Sequence, residues 1–139
     1  MKKIALILTA LAGMVFMGCK SANTIKLEGS WEVSEFELNG VAQQICVSDM
    51  TVKANGDSVI DINGNSGVNI FFGSADVNGT SVKIRDNLAS TRMAGEPAAM
   101  EYEDNFIATL AGSDTWSVTD GKLTVKNSAN GGTLVFVKK

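Results

Sequence analysis

Few side chains in this sequence could do chemistry, and their types narrow what that chemistry would be. Two cysteines, Cys19 and Cys46, stand in a chain of 139 residues that has no histidine. Catalysis through imidazole and His-ligated metal sites are therefore excluded, and no evident base activates Ser66 or Ser90. A reactive thiol needs a neighbouring base to lower its pKa, so Cys46 is expected to be a small half-buried hydrophobe. The run Gly64-Asn65-Ser66-Gly67 has the glycines of a phosphate loop but neither its lysine nor a following helix, and reads as a turn. Asp57, Asp61 and Asp76 do not follow a calcium-loop pattern. No catalytic residue, metal site or cofactor is expected, and the chain is not expected to be an enzyme. Arg92 most invites a ligand, because a guanidinium can hold a carboxylate or phosphate in a fork. Its preferred role is structural, pairing with Glu101, Glu103 or another acidic side chain to pin its loop, since no glycine-rich nest accompanies it. Thr91 and Asn69 are expected to satisfy loop and strand-end backbone groups. Met93 and Met100, beside Phe106, are expected in the core rather than lining a pliable pocket.

The front end stands apart from these residues. Lys2 and Lys3 precede an apolar run from Ile4 to Met17, too short to span a bilayer of about 30 Å as a helix, so residues 1–18 read as a secretory signal. The run ends in Phe16-Met17-Gly18-Cys19, which resembles the lipobox of bacterial lipoproteins and implies lipidation of Cys19. Removing 18 of the 139 residues would leave 121. The loss of Lys2 and Lys3 would leave ten basic against 15 acidic side chains, a net charge near −5. Such a surface repels nucleic acid and anionic headgroups, so the membrane partner would be reached through acyl chains, each buried methylene contributing about 0.8 kcal/mol. With Cys19 lipidated, Cys46 has no disulfide partner within the chain. Lys20 follows where an aspartate would signal inner-membrane retention. That resemblance implies the periplasmic face of the outer membrane. Residues 19–28 read as a short polar tether.

From residue 29 to the end the pattern is mostly that of short strands. "SWEVSEFEL" alternates Trp31 and Val33, then shifts to Phe36 and Leu38 as a bulged strand would. "MTVKA" and "SVIDI" flank an Asn55-Gly56-Asp57 hairpin turn. "VNIFF" carries Val68, Ile70 and Phe72 on one face, and "DVNGT" turns into "SVKIR". A helix interrupts the strands. Pro97 suits its first turn, Glu96, Glu101 and Glu103 lie near the positive end of its dipole, and Gly112 caps its end. Met100, Phe106, Ile107 and Leu110 give it one apolar face. "TWSVT", "KLTVK" and "TLVFVK" follow as a meander with turns at Asp120-Gly121 and Asn130-Gly131-Gly132. The expected fold is mainly β: a small antiparallel barrel of about eight strands with one packed α-helix as its plug.

The order of these pieces is similar to the META domain family, the HslJ-like envelope and secreted proteins, over residues 30–137. It is carried by Trp31, "NGNSGVNIFFGSADVNG" (63–79), "LASTRMAGEPAAMEYEDNFIATL" (88–110) and "WSVTDGKLTV" (116–125). The most specific element is "ASTRMA" leading into a helix rich in Met and Glu. Asn69, Thr91, Arg92 and Met93 belong to that shared motif. Members of the family commonly have cysteines where this chain has Val68 and Gly95. Their joint loss here implies that the two positions are neighbours, the loop being held by packing and hydrogen bonds instead of a disulfide. The family implies a bacterial envelope setting and a stress-response theme rather than a reaction. The expected function is thus a non-catalytic envelope lipoprotein with an interaction or maintenance role, a protein of the envelope being its candidate partner. The alternatives are a carrier of a small apolar ligand in the barrel and a protein inhibitor of an envelope hydrolase such as a lysozyme.

Overall fold

Side chains alternating with period two, punctuated by residues that tolerate positive φ, build most of the molecule. The computed structural model describes residues 22–139, with side chains from Thr24 onward. The signal segment and Cys19 lie outside the described residues. Eight strands form a closed antiparallel barrel. In the order of their hydrogen bonding these are Gly29–Leu38 (β1), Asp49–Ala54 (β3), Val59–Asn65 (β4), Ile70–Asn78 (β5) and Ser81–Ile84 (β6). Thr115–Thr119 (β8), Lys122–Asn127 (β9) and Gly132–Lys138 (β10) complete the circuit, with β10 returning to β1. Two further strands of two residues each, Val41–Ala42 (β2) and Ala89–Ser90 (β7), pair with β1 and β5. Closure removes the exposed edges that an open sheet would present.

Turn chemistry sets the strand boundaries. Asp120 and Gly121 both have positive φ, at 52° and 73°, the geometry of a type I′ hairpin turn between β8 and β9. Asn39 and Gly40 repeat it at 50° and 77° between β1 and β2. The register of β1 against β10 shifts between Val33 and Glu35, placing the bulge where the hydrophobic alternation of the sequence breaks.

Each end of the barrel is covered by a helix. Pro97–Ala111 (α2) lies at the end where β9 finishes and β10 begins, and Asn127 Nδ2 donates to the Ala108 and Thr109 carbonyls there. Pro97 opens α2 and Gly112 closes it, its N–H bonding back to the Ala108 carbonyl. Phe106 and Leu110 are fully buried, whereas Met100 and Ile107 are half-buried at the margin. Phe106 meets Phe71 at 5.7 Å and Phe136 at 6.4 Å between ring centroids, so one ring touches strands from both halves of the circuit. The opposite end is covered by Ala22–Leu27 (α1), which contacts β3 and β5. Thr24 and Leu27 are buried, and the Leu27 carbonyl accepts a hydrogen bond from Trp31 Nε1 at 2.9 Å. Within the stretch 19–28, Ala22–Leu27 are therefore helical and packed against the barrel. The interior holds the rings of Trp31, Phe36, Phe71, Phe106, Trp116 and Phe136.

One strand face differs from expectation. Ile70 and Phe72 point outward, at 56% and 54% exposure, and Phe71 points inward. Adjacent phenylalanines cannot share a face. The turn before β5 selects which of them enters the barrel.

Because Phe106 bridges the sheet's two halves, Phe106→Ala should lower unfolding free energy by about 3–5 kcal/mol, read from guanidinium denaturation followed by tryptophan fluorescence. A loss below about 1 kcal/mol would mean that the helix does not plug the barrel.

Candidate functional site

The shared motif residues meet at the α2 end of the barrel, around a carboxylate. Glu103 projects from α2 toward the turn between β4 and β5 and is only 6% exposed. That turn, residues 66–69, curls so that its donors converge. Asn65 Oδ1 accepts from the Gly67 N–H at 2.8 Å, and the Ser66 N–H reaches the Asn69 carbonyl at 2.8 Å. Gly67 sits at φ +123°, and a Cβ there would stand 3.2 Å from the Tyr102 ring, so a side chain is opposed twice. Glu103 Oε2 accepts from Ser66 Oγ (2.8 Å), the Val68 N–H (2.9 Å) and the Asn69 N–H (2.6 Å). Glu103 Oε1 accepts from Asn69 Nδ2 at 2.6 Å. Burial opposes ionisation, but the donors from Asn69, Ser66 and Val68 outweigh it and hold the carboxyl below the usual glutamate range.

Asn69 carries the constraint onward. Its second amide hydrogen goes to the Met93 carbonyl at 3.1 Å. Its Oδ1 accepts from the Met93 N–H at 2.6 Å and from Thr91 Oγ1 at 3.0 Å. The amide thus uses both donors and both acceptor positions. Its orientation is dictated chemically, because a carboxylate can only accept and a backbone N–H can only donate. Thr91 Oγ1 in turn accepts from the Ile70 N–H, and the Thr91 N–H returns to the Ile70 carbonyl. Asn69 and Thr91 are where the sequence places them, bonding loop and strand-end backbone.

Arg92 and Met93 are not. No acidic partner pins Arg92: the guanidinium is exposed and makes no ion pair among the described residues. The Glu103 oxygens, one of its expected partners, are already occupied by shorter-range donors. Met93 is 61% exposed and outside the core, although its backbone is doubly bonded. Cys46 is half-buried against the core beside the Tyr102–Ser48 pair, whose hydroxyls lie 2.6 Å apart. Burial raises the Tyr102 pKa.

Sequence reasoning gave Glu103 to the helix dipole or to Arg92 and missed its role as the acceptor of the 66–69 turn. A signal was present. Glu103 stands three residues from both Met100 and Phe106, which puts it on the inward face of α2.

A groove of about 510 Å³ runs between α2 and the 88–94 loop, lined by Leu88, Arg92, Met93, Met100, Asp104 and Ile107 among others. A wider depression of about 740 Å³ beside the β5–β6 hairpin includes Asp76, Lys83 and Asp114. There Asp76 already holds Arg85 at 2.6 Å.

This barrel fold has known counterparts. A model of the META domain matches residues 23–139. The chain belongs to the META domain family. The fold also resembles the solution structure of a protein from Burkholderia xenovorans, with a TM-score of 0.65 and 23% identity over 85% of this chain and 87% of that one. A crystal structure of a DUF4847 family protein from Bacteroides vulgatus gives a TM-score of 0.57 at 15% identity, covering 83% of this chain and 95% of that one. At these identities the likeness is one of fold alone. No curated protein matches the sequence. The two positions where META domains commonly carry cysteines are neighbours here: a Cβ on Gly95 would lie 3.5 Å from Val68 Cβ.

Two predictions follow from this geometry. That separation is within the range of disulfides, so Val68→Cys with Gly95→Cys should oxidise to a crosslink, seen as loss of both free thiols by mass spectrometry. Glu103→Gln presents an N–H₂ group to donors and should lower stability by about 2–4 kcal/mol at pH 7. Since the folded pKa is depressed, the stabilisation is complete above the unfolded glutamate value near 4.3 and is lost as pH falls through the folded value. The gap between wild type and Glu103→Gln in urea midpoints should accordingly be constant above about pH 5 and shrink below about pH 4. A gap independent of pH would show that Glu103 is not held as a carboxylate.

Proposed function

We propose that this META domain is a non-catalytic interaction module, lipid-anchored in the bacterial envelope through Cys19. What carries the reading is the use made of the buried carboxylate. Glu103 accepts four hydrogen bonds from protein donors, so its acceptor capacity fixes a backbone shape instead of serving a substrate. The shape it fixes ends in a loop, residues 91–95, whose side chains all lie outside the core.

The anchor rests on the basic start, the short apolar run and the lipobox-like Met17-Gly18-Cys19. Among the described residues, α1 starts at Ala22, three positions after Cys19. Acyl chains on that cysteine would hold the α1 end of the barrel close to the bilayer and leave the α2 end turned away from it. Lys20 favours the periplasmic face of the outer membrane, where the exposed loop would meet an envelope partner.

Feeding cells radiolabelled palmitate tests the anchor. Wild type should take up label and Cys19→Ala should not. Equal, background labelling of the two proteins would remove lipid attachment from the account.

A further inference from the structure

We propose that the groove between α2 and the 88–94 loop binds a short, extended peptide segment, with Arg92 receiving a carboxylate of that peptide and the methionines receiving its apolar side chains. The inference names the binding site of the interaction module proposed above and does not depend on the lipid anchor.

Two side chains expected to serve the fold both point away from it. Among the described residues Arg92 has no ionic partner, and Met93 is 61% exposed. A loop kept only for stability would put such side chains to use. Here the burial goes to the backbone instead: Asn69, nearly inaccessible and itself held by the equally buried Glu103, holds Met93 by its N–H and carbonyl. Taking a carboxylate out of water costs several kcal/mol before its hydrogen bonds are counted. The product of that cost is a rigid backbone presenting a cation and a thioether to solvent, the arrangement that lowers the ordering cost of binding.

The groove itself specifies the chemistry. Its volume of about 510 Å³ is within the usual ligand-site range of about 300–1,000 Å³. Leu88, Met93, Met100 and Ile107 supply an apolar lining, and the thioethers can adapt to differing side chains. Arg92 is the basic residue of the lining, and its unpaired fork matches a carboxylate. Asp104, also in the lining, is left to accept peptide N–H groups. A peptide is favoured over a fatty acyl chain by β7. Among the described residues that strand pairs only with β5, and Ser90 brings it to the wall of the groove. An unpaired strand edge offers main-chain donors and acceptors that an extended peptide can use and a hydrocarbon cannot.

Methyl spectra of the full-length chain labelled with [¹³C-methyl]methionine provide the test. Met93 and Met100 line the groove, while Met50 is fully buried in the barrel and serves as an internal reference. The probe is acetyl-Leu-Val-Leu-Asp, compared with the same peptide ending in an amidated Asn and with laurate. The acidic peptide should shift Met93 and Met100 but not Met50. Both Arg92→Ala and the uncharged probe should weaken that response roughly tenfold, as expected for loss of a charge-assisted hydrogen bond. Arg92→Ala should leave the melting midpoint unchanged. The proposal is overturned if Met93 and Met100 do not respond, if Arg92→Ala binds as wild type does, or if Arg92→Ala unfolds the domain. It is also overturned if laurate alone shifts the two methyls, because the occupant would then be an amphiphile. Palmitate labelling is read separately, so a silent groove leaves the anchor standing and an unlabelled Cys19 leaves the groove standing.

Discussion

A carboxylate placed inside a small barrel must either gain hydrogen-bond donors or give up its charge, and the rest of this domain is arranged around the first outcome. Glu103 receives donors from a turn that only a glycine at position 67 lets curl so tightly. Asn69 donates to the carboxylate from its N–H and its side-chain amide and hands the constraint to Met93, some two dozen residues away in the chain. A helix, a strand turn and an irregular loop are thereby joined through two polar side chains. The helix supplies the carboxylate, so plugging the barrel and ordering the loop become one event. Phe106, one turn further along α2, provides the apolar half of the same docking.

This arrangement also accounts for the absence here of the cysteine pair common in the family. The positions lie within bridging distance, yet the loop is already fixed by hydrogen bonds to Asn69, whose amide in turn donates to the Glu103 carboxylate. Val68 fills the space that a disulfide would take and touches Gly95. A disulfide and a buried Asn–Glu clamp restrain the same loop by different physics. The first narrows the unfolded ensemble, and the second stabilises the folded one.

Much of the barrel was legible in the sequence because its determinants are local. Alternation marked the long strands, the break after Val33 marked the bulge, and Asn-Gly and Asp-Gly pairs marked hairpins. Pro97 and the spacing of Phe106 and Leu110 marked the helix. What escaped depends on distant partners or on too few residues to show a period. β2 and β7 are two residues each and carry no alternation. The choice between Phe71 and Phe72 as the inward ring is made by the preceding turn, which alternation cannot register. Glu103 reads as a helix-surface charge until donors more than 30 residues away are brought to it. Arg92 was given an acidic partner by composition alone, and the structure assigns the best-placed carboxylate to Asn69 instead.

Amide hydrogen exchange at Met93 tests the central claim most directly, because its side chain is exposed while its N–H is bonded to a buried Asn69. The clamp predicts protection comparable to that of the barrel strands for the Met93, Val68 and Asn69 amides, collapsing together in Glu103→Gln. Exchange of the Met93 amide at the rate of an unstructured loop, in a protein whose strand amides remain protected, would contradict it.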